Sequence, residues 1–158
     1  SYLEKLGSRI LYYDTDSIIY TLIDGEYDIP TGQFLGDMTD ELEIYGVGSY
    51  IIAFASGGPK NYAYKVFSSK DQCEIVVCKV KGISLNYKAS QLVNFESIRE
   101  MILQGESADP ILITSNNIRR TALHEVITKK ESKMYRTRSL KRKFFDNFES
   151  EPFGYKKQ

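Results

Sequence analysis

The sequence is poor in the residues that thiolate, disulfide or imidazole chemistry needs. Of its 158 residues one is His, His124, and two are Cys, Cys73 and Cys78. A single imidazole supports neither a His-based metal site nor a Ser-His-Asp triad, so His124 reads as an ordinary surface or stacking residue. The cysteines stand five apart in what reads as one strand. Odd spacing puts them on opposite faces, which argues against a disulfide or a shared metal between them. They read as buried thiols of a reducing compartment. No apolar run is long enough to span a bilayer, and no signal or transit segment is visible. The expectation is therefore a soluble intracellular protein without a membrane partner, nuclear before mitochondrial or cytoplasmic. The chain opens on Ser1 rather than Met, and its length suits one domain or two small pieces of a larger protein.

Net charge is also lacking, with 21 basic against 21 acidic residues, but the balance hides an asymmetry. From Ser1 to Glu43 there are ten acids (Glu4, Asp14, Asp16, Asp24, Glu26, Asp28, Asp37, Asp40, Glu41 and Glu43) against Lys5 and Arg9. From Arg119 to Lys143 there are ten bases, opposed by Glu125 and Glu131. An acidic start and a basic end point to two tasks, a cation site and a polyanion site.

The most informative stretch is Ile10-Leu11-Tyr12-Tyr13-Asp14-Thr15-Asp16-Ser17-Ile18-Ile19-Tyr20. Two runs of β-branched and aromatic residues meet at Asp-Thr-Asp, the pattern of a β-hairpin, and Asp and Thr favour its turn. Two carboxylates two residues apart at a tight bend repel each other unless a cation lies between them. Hard oxygen ligands suit Mg²⁺, which takes one or two protein carboxylates and completes its shell with water and phosphates. A bare Asp-x-Asp is otherwise a solvated turn; here apolar strand on both sides holds the acids in place.

Ser1–Ser8 reads as the close of an earlier helix with Gly7 its stop, Asp24-Gly25-Glu26 as a turn, and Asp28–Gly32 as a loop. Leu35–Leu42 is acidic, reading either as a solvated face or as a second metal site. Strands are expected over Tyr50–Ala55, Lys60–Phe67 and Glu74–Val80, giving with the hairpin one antiparallel sheet of four or five strands. Tyr62, Tyr64 and Val66 fall on one face of the middle strand, and Ala63, Lys65 and Phe67 on the other. Lys60 emerges from a Gly-Gly-Pro turn with Tyr62 two residues on. Such a pair can reach a phosphate and pack against a sugar; alone, it reads equally as a solubilising Lys and a half-buried Tyr. Ser90 or Asn94 caps a helix with Phe95, Ile98 and Ile102 on its inner face, ended by Gly105.

Ile111–Thr114 reads as a short strand. The basic tract beyond it fits a hairpin of Leu123–Thr128 with Met134–Leu140, turning at Lys129–Lys133, although helix is also compatible. Its candidate backbone-binding cations are Arg119, Arg120, Lys133, Arg136, Arg138, Lys141, Arg142 and Lys143. Mixed with Tyr135, Phe144 and Phe145, they fit a surface that grips a phosphate backbone, and equally a solvated face or a nuclear-import signal.

The string Tyr-x-Asp-Thr-Asp-Ser, here Tyr12 to Ser17, resembles motif C of family B DNA polymerases, and Lys60-Asn61-Tyr62 resembles the Lys-x-Tyr motif that follows it. With Leu35–Leu42, Ser56–Tyr64 and Pro152-Phe153-Gly154-Tyr155, the chain is similar to the C-terminal part of the protein-primed branch, of Polinton/Maverick and adenovirus-like type. The resemblance implies an α+β fold: residues 1–86 as the end of an antiparallel palm sheet, and 87–158 as a mixed helix and β-hairpin thumb. It implies a DNA-directed DNA polymerase using two Mg²⁺ ions, or Mn²⁺, to transfer a nucleotide from a dNTP to a primer 3′-hydroxyl. Asp16 would be the metal ligand proper and Asp14 an accessory. Lys60 and Tyr62, with Thr15, would hold the primer terminus, and the basic thumb would hold primer-template DNA without sequence preference. A priming terminal protein is a further partner. Motif A, motif B and the exonuclease lie upstream in that family and are not found in these residues, so this stretch alone is expected not to polymerise. The alternatives are a non-catalytic nucleic-acid-binding module, a mobile-element remnant, and a Mg²⁺-dependent nuclease in which Asp37, Asp40 and Glu41 fold beside Asp16.

Overall fold

Short amphipathic strands and two capped helices account for the architecture. The computed structural model describes residues 1–137 and the backbone of 142–144 and 150–152. In chain order these form helix α1 (Tyr2–Leu6), strands β1 (Ile10–Asp14), β2 (Ser17–Tyr20), β3 (Tyr50–Ser56), β4 (Asn61–Ser68) and β5 (Cys73–Val80). Helices α2 (Tyr87–Leu92) and α3 (Phe95–Gln104) follow, then strands β6 (Ile111–Arg120), β7 (Val126–Tyr135), β8 (Arg142–Phe144) and β9 (Ser150–Pro152). The fold is mixed α+β, with hairpin-connected strands dominating and few helices. No helix among the described residues is long and apolar enough to cross a membrane.

The chain divides into two units, Ser1–Tyr50 with Phe67–Glu74, and Ile51–Val66 with the chain from Ile75 onward. In the first, β1 and β2 pair antiparallel with Asp14 opposite Ser17, Tyr13 opposite Ile18 and Tyr12 opposite Ile19. The register shifts between Ile10 and Tyr12. Arg9, just before the hairpin, is buried; it donates to the Tyr27 carbonyl at 2.5 Å and pairs with Glu26 at 3.1 Å. The Tyr20 hydroxyl donates to Asp28. Burial, then that contact, pushes the Tyr20 phenol up to about 12. Serine hydroxyls hold the remainder: Ser49 and Ser68 each donate to the Tyr45 carbonyl at 2.9 Å, and Ser69 to that of Val47 at 2.8 Å.

In the second unit an apolar core gathers Ala63, Ala89, Val93, Phe95, Ile98, Met101, Ile113 and Tyr135. Helix α3 buries Phe95 and Ile98 as expected, but Met101 takes the third core place and Ile102 is half-buried beside it. Asn94 caps it in a reciprocal box with Ser97, and Gly105 ends it at φ 62°. The alternation expected for β4 holds: Ala63 enters the core, while Tyr62 and Tyr64 stack at 6.2 Å between ring centroids. Lys65 pairs with Glu96 at 2.6 Å over the Phe95 ring.

Several expectations are corrected. The β1–β2 hairpin is a two-stranded sheet of its own, and β3-β4-β5 is a separate three-stranded sheet. Strands of five and four residues with an irregularity in β1 present little regular edge for a further strand. Ala63 of β4 shares its core with Val93 and Ile98 from beyond residue 86. Cys73 is exposed rather than buried and Cys78 half-buried, and both are free thiols. Burial pushes the Cys78 thiol up. The basic tract is strand, but its partner and turn differ. β6 runs on through Ser115-Asn116-Asn117 to Arg120 and pairs with β7 over ten positions, from Ile111 opposite Tyr135 to Arg120 opposite Val126. Cross-strand bonds carry it past Thr114: Thr114 to Ser132 at 3.0 Å, and the Asn117 amide to Glu131 at 2.7 Å. The reversal lies instead at Thr121–Glu125, closed by Thr121 N–H to the Glu125 carbonyl at 2.9 Å, with His124 at φ 65°.

Candidate metal and nucleic-acid sites

The two motif turns belong to different units, and each has the backbone of a constrained site. At the hairpin tip, Asp16 N–H donates to the Asp14 carbonyl at 2.6 Å, and the Ser17 hydroxyl donates to the same carbonyl at 3.1 Å. Thr15 between the acids sits at φ 52°, and its hydroxyl donates to Asp14 Oδ1 at 3.3 Å. A β-branched residue in the left-handed region is a true outlier, because Cβ crowds the following carbonyl. Non-glycine residues persist there where their surroundings over-determine them, as at ligand clamps and active sites. Asp14 is half-buried and Asp16 exposed, so the acid placed for solution chemistry is Asp16. Beside it lies a cleft of about 190 Å³ bordered by Tyr2, Tyr13, Ile18 and Met38.

As a donor set, two carboxylates at one bend suit a hard divalent cation bound through one or both, with water or phosphate oxygens completing its shell. Among the described residues no group of three or more His, Cys, Asp or Glu comes together to hold a metal. Asp37, Asp40 and Glu41 form no such group with Asp16. Asp37 accepts from Phe34 N–H and Asp40 from Leu42 N–H, each at 2.9 Å. They are local turn formers.

The second turn, Gly57-Gly58-Pro59-Lys60, is closed by Gly57 N–H to the Asn61 carbonyl at 2.8 Å and Asn61 N–H to the Gly58 carbonyl at 3.0 Å. Lys60 is exposed at φ 57°, so it too occupies the left-handed region without being glycine. Tyr62 is half-buried and lies 6.0 Å from the Phe54 ring.

The cations of the β6–β7 ribbon divide by face. On one side Arg119 forks onto Glu131 through Nε at 3.1 Å and Nη2 at 3.0 Å. That bond, with Asn117 beside it, holds the Glu131 carboxyl below its ordinary range. Lys133 on the same side donates to the Gly82 carbonyl at 2.5 Å. These two are engaged within the protein. The other face carries Arg120 and Lys130 among Thr114, Asn116, Thr128 and Ser132, all exposed, together with exposed Leu112, Ile118, Val126 and Met134. It has no acid. Arg136 is exposed just past β7. Arg138 and Lys141, and the side chains of Arg142 and Lys143, lie outside the described residues.

Sequence reasoning missed Asn61 and Tyr135. The Tyr135 hydroxyl donates to Asn61 Oδ1 at 2.9 Å across 74 positions of chain, and both residues are buried. No local pattern signals such a pair. It also missed an open groove of about 650 Å³ lined by Lys65, Val76, Cys78, Leu85, Val93 and Phe95, among others. No protein-family model, curated protein or solved structure matches the chain.

Proposed function

We propose that the chain is the C-terminal palm-and-thumb part of a protein-primed family B DNA polymerase, acting on primer-template DNA and dNTP together with the preceding regions of that enzyme and a priming protein. One observation carries the reading: Asp14-Thr15-Asp16 forms the tip of an antiparallel hairpin, with Thr15 forced to φ 52° and Asp16 presented to solvent. A bare solvated turn has no need of a strained threonine.

When bound, Mg²⁺ would neutralise charge developing on phosphate and lower the pKa of the attacking hydroxyl. Asp16 would hold it, supported by Asp14, whose main-chain carbonyl is fixed by Asp16 N–H and the Ser17 hydroxyl. Lys60 would meet a phosphate of the primer strand, and Tyr62 would pack against its sugar. Arg120, Lys130 and Arg136 would bind the duplex by charge without reading its sequence. Arg119 and Lys133 drop to a secondary place, because Glu131 and the Gly82 carbonyl already occupy them.

The test is primer extension by the gene product that includes the coding sequence upstream of Ser1, with and without Asp16→Ala. The proposal expects extension to be lost in the variant while DNA affinity stays within about twofold. Extension by the 158-residue chain alone would refute the assignment of motif A and motif B to the upstream sequence. A second reading, a non-catalytic nucleic-acid-binding module, draws on the acid-free exposed face of the ribbon. It expects Asp16→Ala to change nothing.

A further inference from the structure

Lys60 is presented by a turn whose back is fastened to the foot of the cationic ribbon. Asn61 is buried and uses both ends of its amide. Its Nδ2 donates to the Gly57 carbonyl at 3.3 Å, and its Oδ1 accepts from the Tyr135 hydroxyl at 2.9 Å. Tyr135 is the last residue of β7, opposite Ile111, and Arg136 follows it directly. A second contact lies beside the first. A Cβ added at Gly57 would come 2.8 Å from Thr137 Cγ2 and 2.9 Å from Asn61 Nδ2, so chain just beyond β7 presses on the turn. The Gly57 φ is not positive, so close approach is the reason for the missing side chain.

A lysine has no intrinsic preference for φ 57°, and its neighbours must impose that conformation. Asn61, next in the chain, closes the turn through its own amide and carbonyl, and its side chain is bonded to Tyr135. A buried amide satisfied at both ends has one orientation, whereas one end left unpaired leaves it free to turn.

We propose that Asn61 and Tyr135 are positioning residues that lock the Lys60 turn to the ribbon, so that a phosphate backbone held by the ribbon meets Lys60 in fixed register. This rests on the nucleic-acid reading above, and the experiment separates the two. Binding of a fluorescent primer-template duplex to the chain is measured over a salt series. Each phosphate contact contributes about 0.9 to the slope of log affinity against log salt. Lys60→Ala is expected to lower that slope by about one contact. Tyr135→Phe should lower it by the same amount, and the double variant by no more than either alone. Gly57→Ala should behave like Tyr135→Phe, with partial recovery on adding Thr137→Ser, which removes the nearest clashing methyl. A Tyr135→Phe variant that loses affinity at unchanged slope, or whose loss adds to that of Lys60→Ala, overturns the link.

If neutralising Arg120 and Lys130 together leaves affinity unchanged, the ribbon reading falls and the shared register falls with it. The mechanical link is then read by amide hydrogen exchange. Tyr135→Phe should accelerate exchange at Gly57 and Asn61, whose amides close the turn, while α3 stays protected. Unchanged exchange at both amides refutes the link whether or not DNA binds.

Discussion

The unit built from Ser1–Tyr50 and Phe67–Glu74 fully buries few apolar side chains, Leu6 and Ile29, beside the Tyr50–Phe67 ring pair at 5.6 Å, and adds a network of polar contacts. Buried Arg9 reaches the Tyr27 carbonyl, and Ser49, Ser68 and Ser69 secure the Tyr45–Val47 carbonyls. The unit from Ile51 onward packs two helices and two sheets around Ile98, Val93, Phe95 and Met101. The acids gather in the first and the basic ribbon in the second. A hydrogen bond exchanged against water nets about 1 kcal/mol, whereas each fully buried aliphatic side chain contributes about 1.5–3 kcal/mol. The acidic hairpin therefore stands on the softer support, a sensible place for local motion, and the cationic ribbon is rooted in the firmer one.

The comparison is sharpest when each unit is weakened in its own terms. Ile98→Ala, at a fully buried position, is expected to destabilise the second unit by about 2–5 kcal/mol. Ser49→Ala in the first should lose about 1 kcal/mol, because it strips one hydroxyl from a half-buried network. Denaturant melts of both variants check the ranking, and equal losses would break the contrast.

Alkali offers the next test, since each unit holds one tyrosine whose phenol is pushed up to about 12. Burial is the largest cause in both, and Asp28 adds to it at Tyr20. The folded state favours the neutral phenol. The stabilisation is fully present below the ordinary value near 10 and is lost as pH rises from there through the folded value. Tyr20→Phe should flatten the alkaline limb of the first unit and Tyr135→Phe that of the second, followed by hydrogen exchange in each. A single shared limb abolished by either substitution would show the units melting as one.

The smallest expected effect is also the most pointed. Relieving Thr15 of its left-handed φ returns roughly 1–2 kcal/mol, against roughly 0.5–1 kcal/mol of extra chain entropy for glycine. Thr15→Gly is therefore expected to stabilise the first unit by about 0.5–1 kcal/mol. Under the polymerase proposal the same change lowers extension by the gene product that includes the upstream sequence. A stabilised variant with full extension would leave the strained threonine without a function.

Much of this was legible in local sequence. The hairpin at Ile10–Tyr20, the strands of β3 to β5, and α3 with Asn94 and Gly105 at its ends follow from period-two alternation, helical spacing and capping chemistry. Both motif turns were visible as turns. Less legible was anything set by pairing at a distance. The strand read as Ile111–Thr114 runs on through Ser115-Asn116-Asn117, because Glu131 and Ser132 across the ladder supply partners that local sequence cannot show. The exposure of Cys73, the pairing of Arg119 with Glu131 and the independence of β1–β2 from the larger sheet belong to the same class.

What the sequence determined by itself is the chemistry on offer: carboxylates at one bend, a lysine and tyrosine beyond a glycine turn, cations in one tract, each dictated by neighbours a few residues away. Tertiary structure alone decided which of those groups are available. It engaged Arg119 and Lys133 within the protein, left Arg120 and Lys130 exposed, and fastened Asn61 to Tyr135 across 74 positions. The physical reason is that availability depends on strand register and burial, which join residues remote in sequence.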